Sequence, residues 1–259
     1  ALIETFPPGS SQDYGSNVAP PPAGSSSGSF PSWSQGVRQA ISIVGAIPQQ
    51  LGFDFTAIGG GTLTAPTSTN YYTSQYRHRF TAATALDYGF NSRAAAFWRG
   101  NATGRGGFTF EVVFGLESGA SAGTRLLAGL VGTATSITLS AGDPSAQTNC
   151  IFVGADAADT NLQLMVNDGS GTCTKTDLGS NFAKVPGTST VVRARFSCSA
   201  NGSAIDYFVE RLDTSGVSVT GSASSDLPTN TTFMVHQFGV SKSGTGSFAA
   251  AWIRCMGQC

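Results

Sequence analysis

The chain has 259 residues, enough for one large β domain or two smaller ones with a full core. Charged residues make up only 11% against a usual share of about 25%, and the net charge is −1. There is no basic stripe to give a nucleic-acid footprint, and no apolar run long enough for a membrane-spanning helix.

The 33 glycines and 17 phenylalanines, with abundant Ser and Thr, suit short strands joined by tight turns. They suit helical bundles poorly, because helices lean on Glu, Lys, Leu and Arg. The first residues, Ala1 to Pro8, have neither a basic n-region nor an apolar h-region, so they do not read as a signal peptide. Residues 7–32 are rich in Pro, Gly and Ser, as in Pro20-Pro21-Pro22-Ala23-Gly24-Ser25. Such an arm buries too little apolar surface to offset its ordering entropy. It orders most easily against a neighbouring chain, which favours an assembly; the alternative is an arm folded back on its own domain. Trp33, Val37, Ala40, Ile41 and Val44 share the spacing of one helix face, so a short helix is expected over 33–45. Ser32 could cap it, and Pro48 ends it.

Gly59-Gly60-Gly61 reads as a flexible join. It divides the chain into an N-terminal arm and anchoring segment, 1–60, and a β-sandwich domain, 61–259. Strand-like runs then follow one another: 72–80, 94–98, 108–114, 126–131, 150–153, 162–166, 172–178, 190–196, 204–212, 217–220, 233–240 and 248–253. Phe108-Thr109-Phe110-Glu111-Val112 and Val192-Arg193-Ala194-Arg195-Phe196 alternate with period two, which means one face buried and one wet. Asn167-Asp168-Gly169, Asn201-Gly202-Ser203, Thr214-Ser215-Gly216 and Ser243-Gly244-Thr245-Gly246 supply hairpin turn chemistry. The expected fold is all-β, a jelly-roll-like β-sandwich preceded by an extended Pro/Gly/Ser-rich arm.

Five cysteines, Cys150, Cys173, Cys198, Cys255 and Cys259, show no Cys-x-x-Cys spacing, which argues against zinc. They read as buried free thiols, with pairing of Cys255 and Cys259 left open. His78 and His236 lie in strand-like runs and read as structural polar groups. Asp143, Asp156, Asp159, Asp168, Asp177 and Asp213 sit mostly in turns, where acids bond nearby backbone. Glu111 and Glu210 lie on strands, and Arg93, Arg193 or Arg211 are their expected cross-strand partners. The oxygen-rich stretch from Asp156 to Asn161 lacks the spaced acid series of a calcium loop. Neither catalytic residues nor a cofactor are expected, so the chain reads as a non-enzyme.

Trp98-Arg99-Gly100-Asn101 is the most distinctive tetrad. As a structural corner, Trp98 fills the core, Arg99 bonds neighbouring carbonyls and Gly100 makes the bend. As a sugar platform, Trp98 stacks on a pyranose face while Arg99 and Asn101 bond hydroxyls. Tyr72, Tyr76 and Arg77 form a second candidate contact patch, or else a charged edge strand. Asn101, Asn201 and Asn230 each open an Asn-x-Ser/Thr sequon.

The block from Asn91 to Phe114, with Asn149-Cys150-Ile151-Phe152-Val153-Gly154 and Asn167-Asp168-Gly169-Ser170-Gly171-Thr172 after it, resembles a β-rich domain near the C-terminus of tailed-phage tail-fibre and other virion-fibre proteins. The resemblance spans roughly residues 71 to 254. It implies a bacteriophage virion component, a surface fibre or spike made in the host cytoplasm. The same resemblance implies a homotrimer whose partners are other virion proteins and a host cell-surface glycan. No long repetitive shaft precedes the domain, so a capsid decoration or head-fibre protein is the first alternative. A carbohydrate-binding module outside any virus and a polysaccharide-degrading enzyme, with Asp156 or Glu210 as its carboxylate, are the others.

Overall fold

The computed structural model describes residues 54–58, 62–64, 79–82, 88–92, 97–116, 123–132, 142–185, 190–241, 248–250 and 254–258. The N-terminal arm, the expected helix over 33–45, and Tyr72, Tyr76, Arg77 and His78 lie outside them. The strands are β1 (Asp54–Ile58), β2 (Thr62–Thr64), β3 (Arg79–Ala82), β4 (Tyr88–Ser92), β5 (Phe108–Leu116), β6 (Arg125–Val131), β7 (Cys150–Ala155) and β8 (Gln163–Asn167). They continue as β9 (Thr174–Asp177), β10 (Thr190–Cys198), β11 (Ile205–Arg211), β12 (Ser218–Ala223), β13 (Val235–Ser241), β14 (Phe248–Ala250) and β15 (Arg254–Gln258).

Two antiparallel sheets make a β-sandwich. One has seven strands in the order β1-β4-β13-β6-β7-β8-β9. The other has eight, β12-β11-β10-β5-β14-β3-β2, with β15 also paired to β5. The register follows from the alternation. Phe110, Val112 and Phe114 sit opposite Phe196, Ala194 and Val192, so one apolar row meets another on the same face. That face packs on Leu126, Ala128, Leu130, Ile151, Val153 and Phe238 of the seven-stranded sheet. Phe110 stacks on Phe196 with centroids 6.2 Å apart, and Phe114 meets Phe238 across the sandwich at 6.5 Å. Each such side chain, removed from water, contributes about 1.5–3 kcal/mol.

A second, smaller core lies on the other face of the seven-stranded sheet. Leu127, Val131, Cys150, Phe152, Met165 and Cys173 are buried there. The turn Pro144–Ala146 folds over β6 and β7 to cover them.

Expected runs and observed strands coincide through most of the described chain. The exceptions have local causes. The run at 94–98 is expected as a strand, but its described part makes only an isolated bridge, Phe97 to Met234. The strand before it is β4, whose Tyr88-Gly89-Phe90-Asn91-Ser92 lacks β-branched residues and carries a glycine. β1 precedes Gly59-Gly60-Gly61 and pairs with β4 over five residues, adding an edge to the seven-stranded sheet. Glu210 pairs with Arg193 as expected, whereas Glu111 takes Arg195, its register partner on β10.

Candidate functional site

Residues 97–107, which lead into β5, carry the site. Phe97 and Met234 exchange backbone hydrogen bonds of 3.0 and 2.7 Å. Phe97 turns inward, edge-on to Phe110 at 5.3 Å, and Met234 is buried beside the core. Alternation then sends Trp98 and Phe233 outward. Their rings stack at 5.1 Å and 28°, and Phe233 remains 52% exposed. Trp98 therefore does not fill the core as the corner reading supposes; it lies half-buried beneath an exposed aromatic. Its Nε1 donates to the Asn230 carbonyl at 2.6 Å, so the indole offers a ligand its face and not its N–H.

Arg99 ties the loops together from below. One terminal nitrogen donates to the Pro228 carbonyl at 2.6 Å and the other to the Gly202 carbonyl at 2.5 Å. Its own carbonyl accepts from Asn201 N at 2.8 Å. This is the role the corner reading gives Arg99. Gly100 makes the bend. Its φ of +90° is left-handed, and a Cβ there would stand 1.7 Å from the Arg105 carbonyl oxygen. At Gly106, φ +80°, a Cβ would stand 2.4 Å from the Gly100 Cα. The chain thus crosses itself and pushes out a tight loop that exposes Asn101, Thr103 and Arg105.

Asn201 and Asn230 flank the aromatic pair. Both are exposed, and the Asn230 amide donates to the Asn201 side chain at 3.4 Å. A layer beneath fixes them. Asn149 Oδ1 accepts from Thr229 N and Oγ1 at 2.9 and 2.7 Å. Asp226 accepts from Asp168 N and Thr174 N at 3.1 and 3.0 Å. The result is a stacked aromatic pair bordered by primary amides on a firm base. Chemically, such a surface offers a ring face to C–H groups and amides to hydroxyls. The structure brings Trp98 and Arg99 together here and places Asn101 on the adjoining loop. Reading the sequence alone missed Phe233, because β13 is buried along its whole length and nothing in Phe233-Met234-Val235 marks the first residue as the outward one.

The acidic residues are committed elsewhere. Asp143 pairs with Arg125 at 2.6 Å, and Lys175 reaches Asp156 at 2.5 Å and Asp159 at 3.0 Å. Burial pushes the Asp143 carboxyl up, but Arg125 and the Ala157 N–H outweigh it and hold the group below the usual range. Lys175 is pushed down by burial and held above its ordinary value by Asp156 and Asp159. Lys184 is fully buried, and its ammonium donates to the carbonyls of Asp156 and Ala157 at 2.8 Å each. Asp168, Asp177 and Asp213 accept from the backbone N–H groups of Ser170, Gly179 and Val191, as turn acids do. His236 is buried on β13. Among the described residues no group of three or more His, Cys, Asp or Glu is placed to hold a metal.

No protein-family model and no curated protein matches the chain. Solved structures do. Arcelin-5, a lectin-like defense protein from Phaseolus vulgaris, superposes with a TM-score of 0.50 at 12% identity, over 80% of this chain and 92% of that one. Lectin II from Ulex europaeus gives 0.49 at 13% identity over 82% and 95%. A carbohydrate esterase from the Shiga toxin-encoding bacteriophage phi24B gives 0.43 at 13% identity over 79% and 88%. The fold is that of a lectin-like β-sandwich.

Proposed function

We propose that this chain is a non-enzymatic, glycan-binding β-sandwich protein of a tailed-phage virion, a fibre or spike that contributes to host-surface attachment. The observation that carries glycan binding is the exposed Trp98–Phe233 stack bordered by Asn201 and Asn230. A large aromatic left half in water marks a contact surface. Beside amides, and away from any free carboxylate pair, it suits a neutral sugar better than an apolar peptide. The lectin-like sandwich is a scaffold compatible with that use, though fold by itself does not fix function. The virion assignment, and with it a homotrimer, rests on the resemblance carried by the Asn91–Phe114 block.

The non-enzymatic reading is supported by the acids. Asp156 has Lys175 and the Ser145 N–H, and Glu210 has Arg193. Among the described residues neither has an unpaired carboxyl partner of the kind glycoside cleavage uses.

The test is a glycan array carrying bacterial surface polysaccharides, read with the whole chain and with Phe233→Ala. Saturable binding that falls at least about tenfold in the variant is expected, the equivalent of roughly 1.4 kcal/mol. Binding of equal strength by both proteins would move the site elsewhere, and oligosaccharide release from the array would make the protein an enzyme.

A further inference from the structure

We propose that Cys150 and Cys173 form a reversible disulfide that staples the loop between β8 and β9 to strand β7. Their sulfurs lie 3.5 Å apart, and both point to the Gln147 carbonyl at 3.4 Å. A disulfide needs about 2.05 Å, so the sulfurs have to approach by about 1.5 Å. The surroundings allow that movement from one side. Cys150 is anchored in β7 and fully buried. Cys173 ends the loop Asp168-Gly169-Ser170-Gly171-Thr172, four of whose residues, Gly169 to Thr172, are exposed. The Cys173 N–H is held by the Ser145 carbonyl at 2.8 Å, so the approach is made by rotation of the Cys173 side chain, with the exposed Gly169-to-Thr172 loop taking up only small backbone shifts. Leu127, Phe152 and Met165 are buried in the same cluster, so a formed bridge exchanges with thiols slowly and from the Cys173 side.

The chemistry needs a two-electron acceptor, and a small-molecule disulfide such as oxidised glutathione supplies it. The Cys173 thiolate, 8% exposed and the more accessible of the two, attacks one glutathione sulfur and expels the other as a thiolate. Cys150, as its thiolate, then attacks the Cys173 sulfur of the mixed disulfide and releases the second glutathione. The protein loses two protons and two electrons, and the glutathione disulfide becomes two thiols. Burial pushes the Cys150 thiol up; its bond to Cys173 and the nearby Asp226 carboxylate push the same way. Closure on the native protein therefore quickens as pH rises.

The bridge is linked to the amide–aromatic surface through hydrogen bonds of neighbouring residues. Asn149, next to Cys150, holds Thr229, and Asp226 holds Asp168 and Thr174 at the two ends of the stapled loop. Closure also removes freedom from the unfolded chain, because it ties off the segment between the two cysteines.

The experiment equilibrates the full chain in a glutathione redox buffer, both native and through an unfolding–refolding cycle. Free thiols are then blocked with N-ethylmaleimide in denaturant and the peptides mapped without reduction. The expected result is a Cys150–Cys173 cross-linked peptide with Cys198 fully labelled. Oxidation should raise Tm by about 5–10 °C in the wild type and leave Cys150→Ser and Cys173→Ser unmoved. Should either variant fail to fold, the wild-type peptide map decides alone. Label on both Cys150 and Cys173 after oxidation, or their pairing with other cysteines, overturns the proposal.

Discussion

Two residues decide whether the loop end keeps its shape. Gly100 sits at φ +90° with no room for a methyl group beside the Arg105 carbonyl. Gly100→Ala is expected to cost about 2–4 kcal/mol in urea unfolding, combining left-handed strain with a backbone clash. It should also weaken glycan binding, since Arg99 and Asn101 are its neighbours. A cost under about 0.5 kcal/mol would mean that the crossing of Gly100 and Gly106 is not as tight as described. Asp213 makes a second prediction at this scale. Burial pushes its carboxyl up, but Arg211 and the Val191 N–H outweigh that and hold it below the usual carboxylate range. Its folded value then lies below its unfolded one. The stability it contributes is complete above the unfolded value and is lost as pH falls through the folded one. Acid unfolding should therefore steepen below about pH 4, and Asp213→Asn should flatten that limb while lowering stability at neutral pH. An unchanged acid limb would remove Asp213 from the account.

At the scale of elements, the buried ammonium of Lys184 adds a side-chain tie beside the short backbone pairing of Asn161 with Ala183. It replaces water for the carbonyls of Asp156 and Ala157 in the turn after β7. Lys184→Met keeps the volume and removes the donor, so it should cost about 2 kcal/mol, read as a lower urea midpoint at constant slope. Its sequence neighbourhood, Ala183-Lys184-Val185, gives no hint of this. Lysine is usually exposed, and only the fold shows two carbonyls waiting for it. The long strands were easier. β5 and β10 are nine residues long and alternate over Phe108 to Val112 and Val192 to Phe196, so period two is visible without structure. β2 has three residues and β4 has a glycine in place of a branched side chain; neither carries a pattern strong enough to find. The site divided the same way. Trp98 stood out because an aromatic before Arg-Gly is unusual in a strand. Phe233 looked like one more core residue, because its outward turn depends on Phe97 pairing with Met234 far away in sequence.

The described residues form one sandwich whose main core lies between the sheets, with two smaller apolar clusters besides. Phe114 bridges the sheets through Phe238, so Phe114→Ala should lower unfolding free energy by about 3–5 kcal/mol. A loss below about 1 kcal/mol would place that contact outside the cooperative core. The assembly is a separate matter. The intact chain is predicted to run as a trimer in light scattering, and a version starting at Leu51, which keeps β1, as a smaller species. Both as monomers would count against the virion reading and in favour of a free glycan-binding module. The central claim, that Trp98 and Phe233 meet a sugar, is tested most directly by NMR. The protein, labelled with 15N at its indoles and with Trp98→Phe supplying the assignment, is titrated with the strongest glycan from the array. The account predicts that the Trp98 resonance shifts in step with saturation; a glycan that saturates the protein while the Trp98 resonance stays fixed would contradict it.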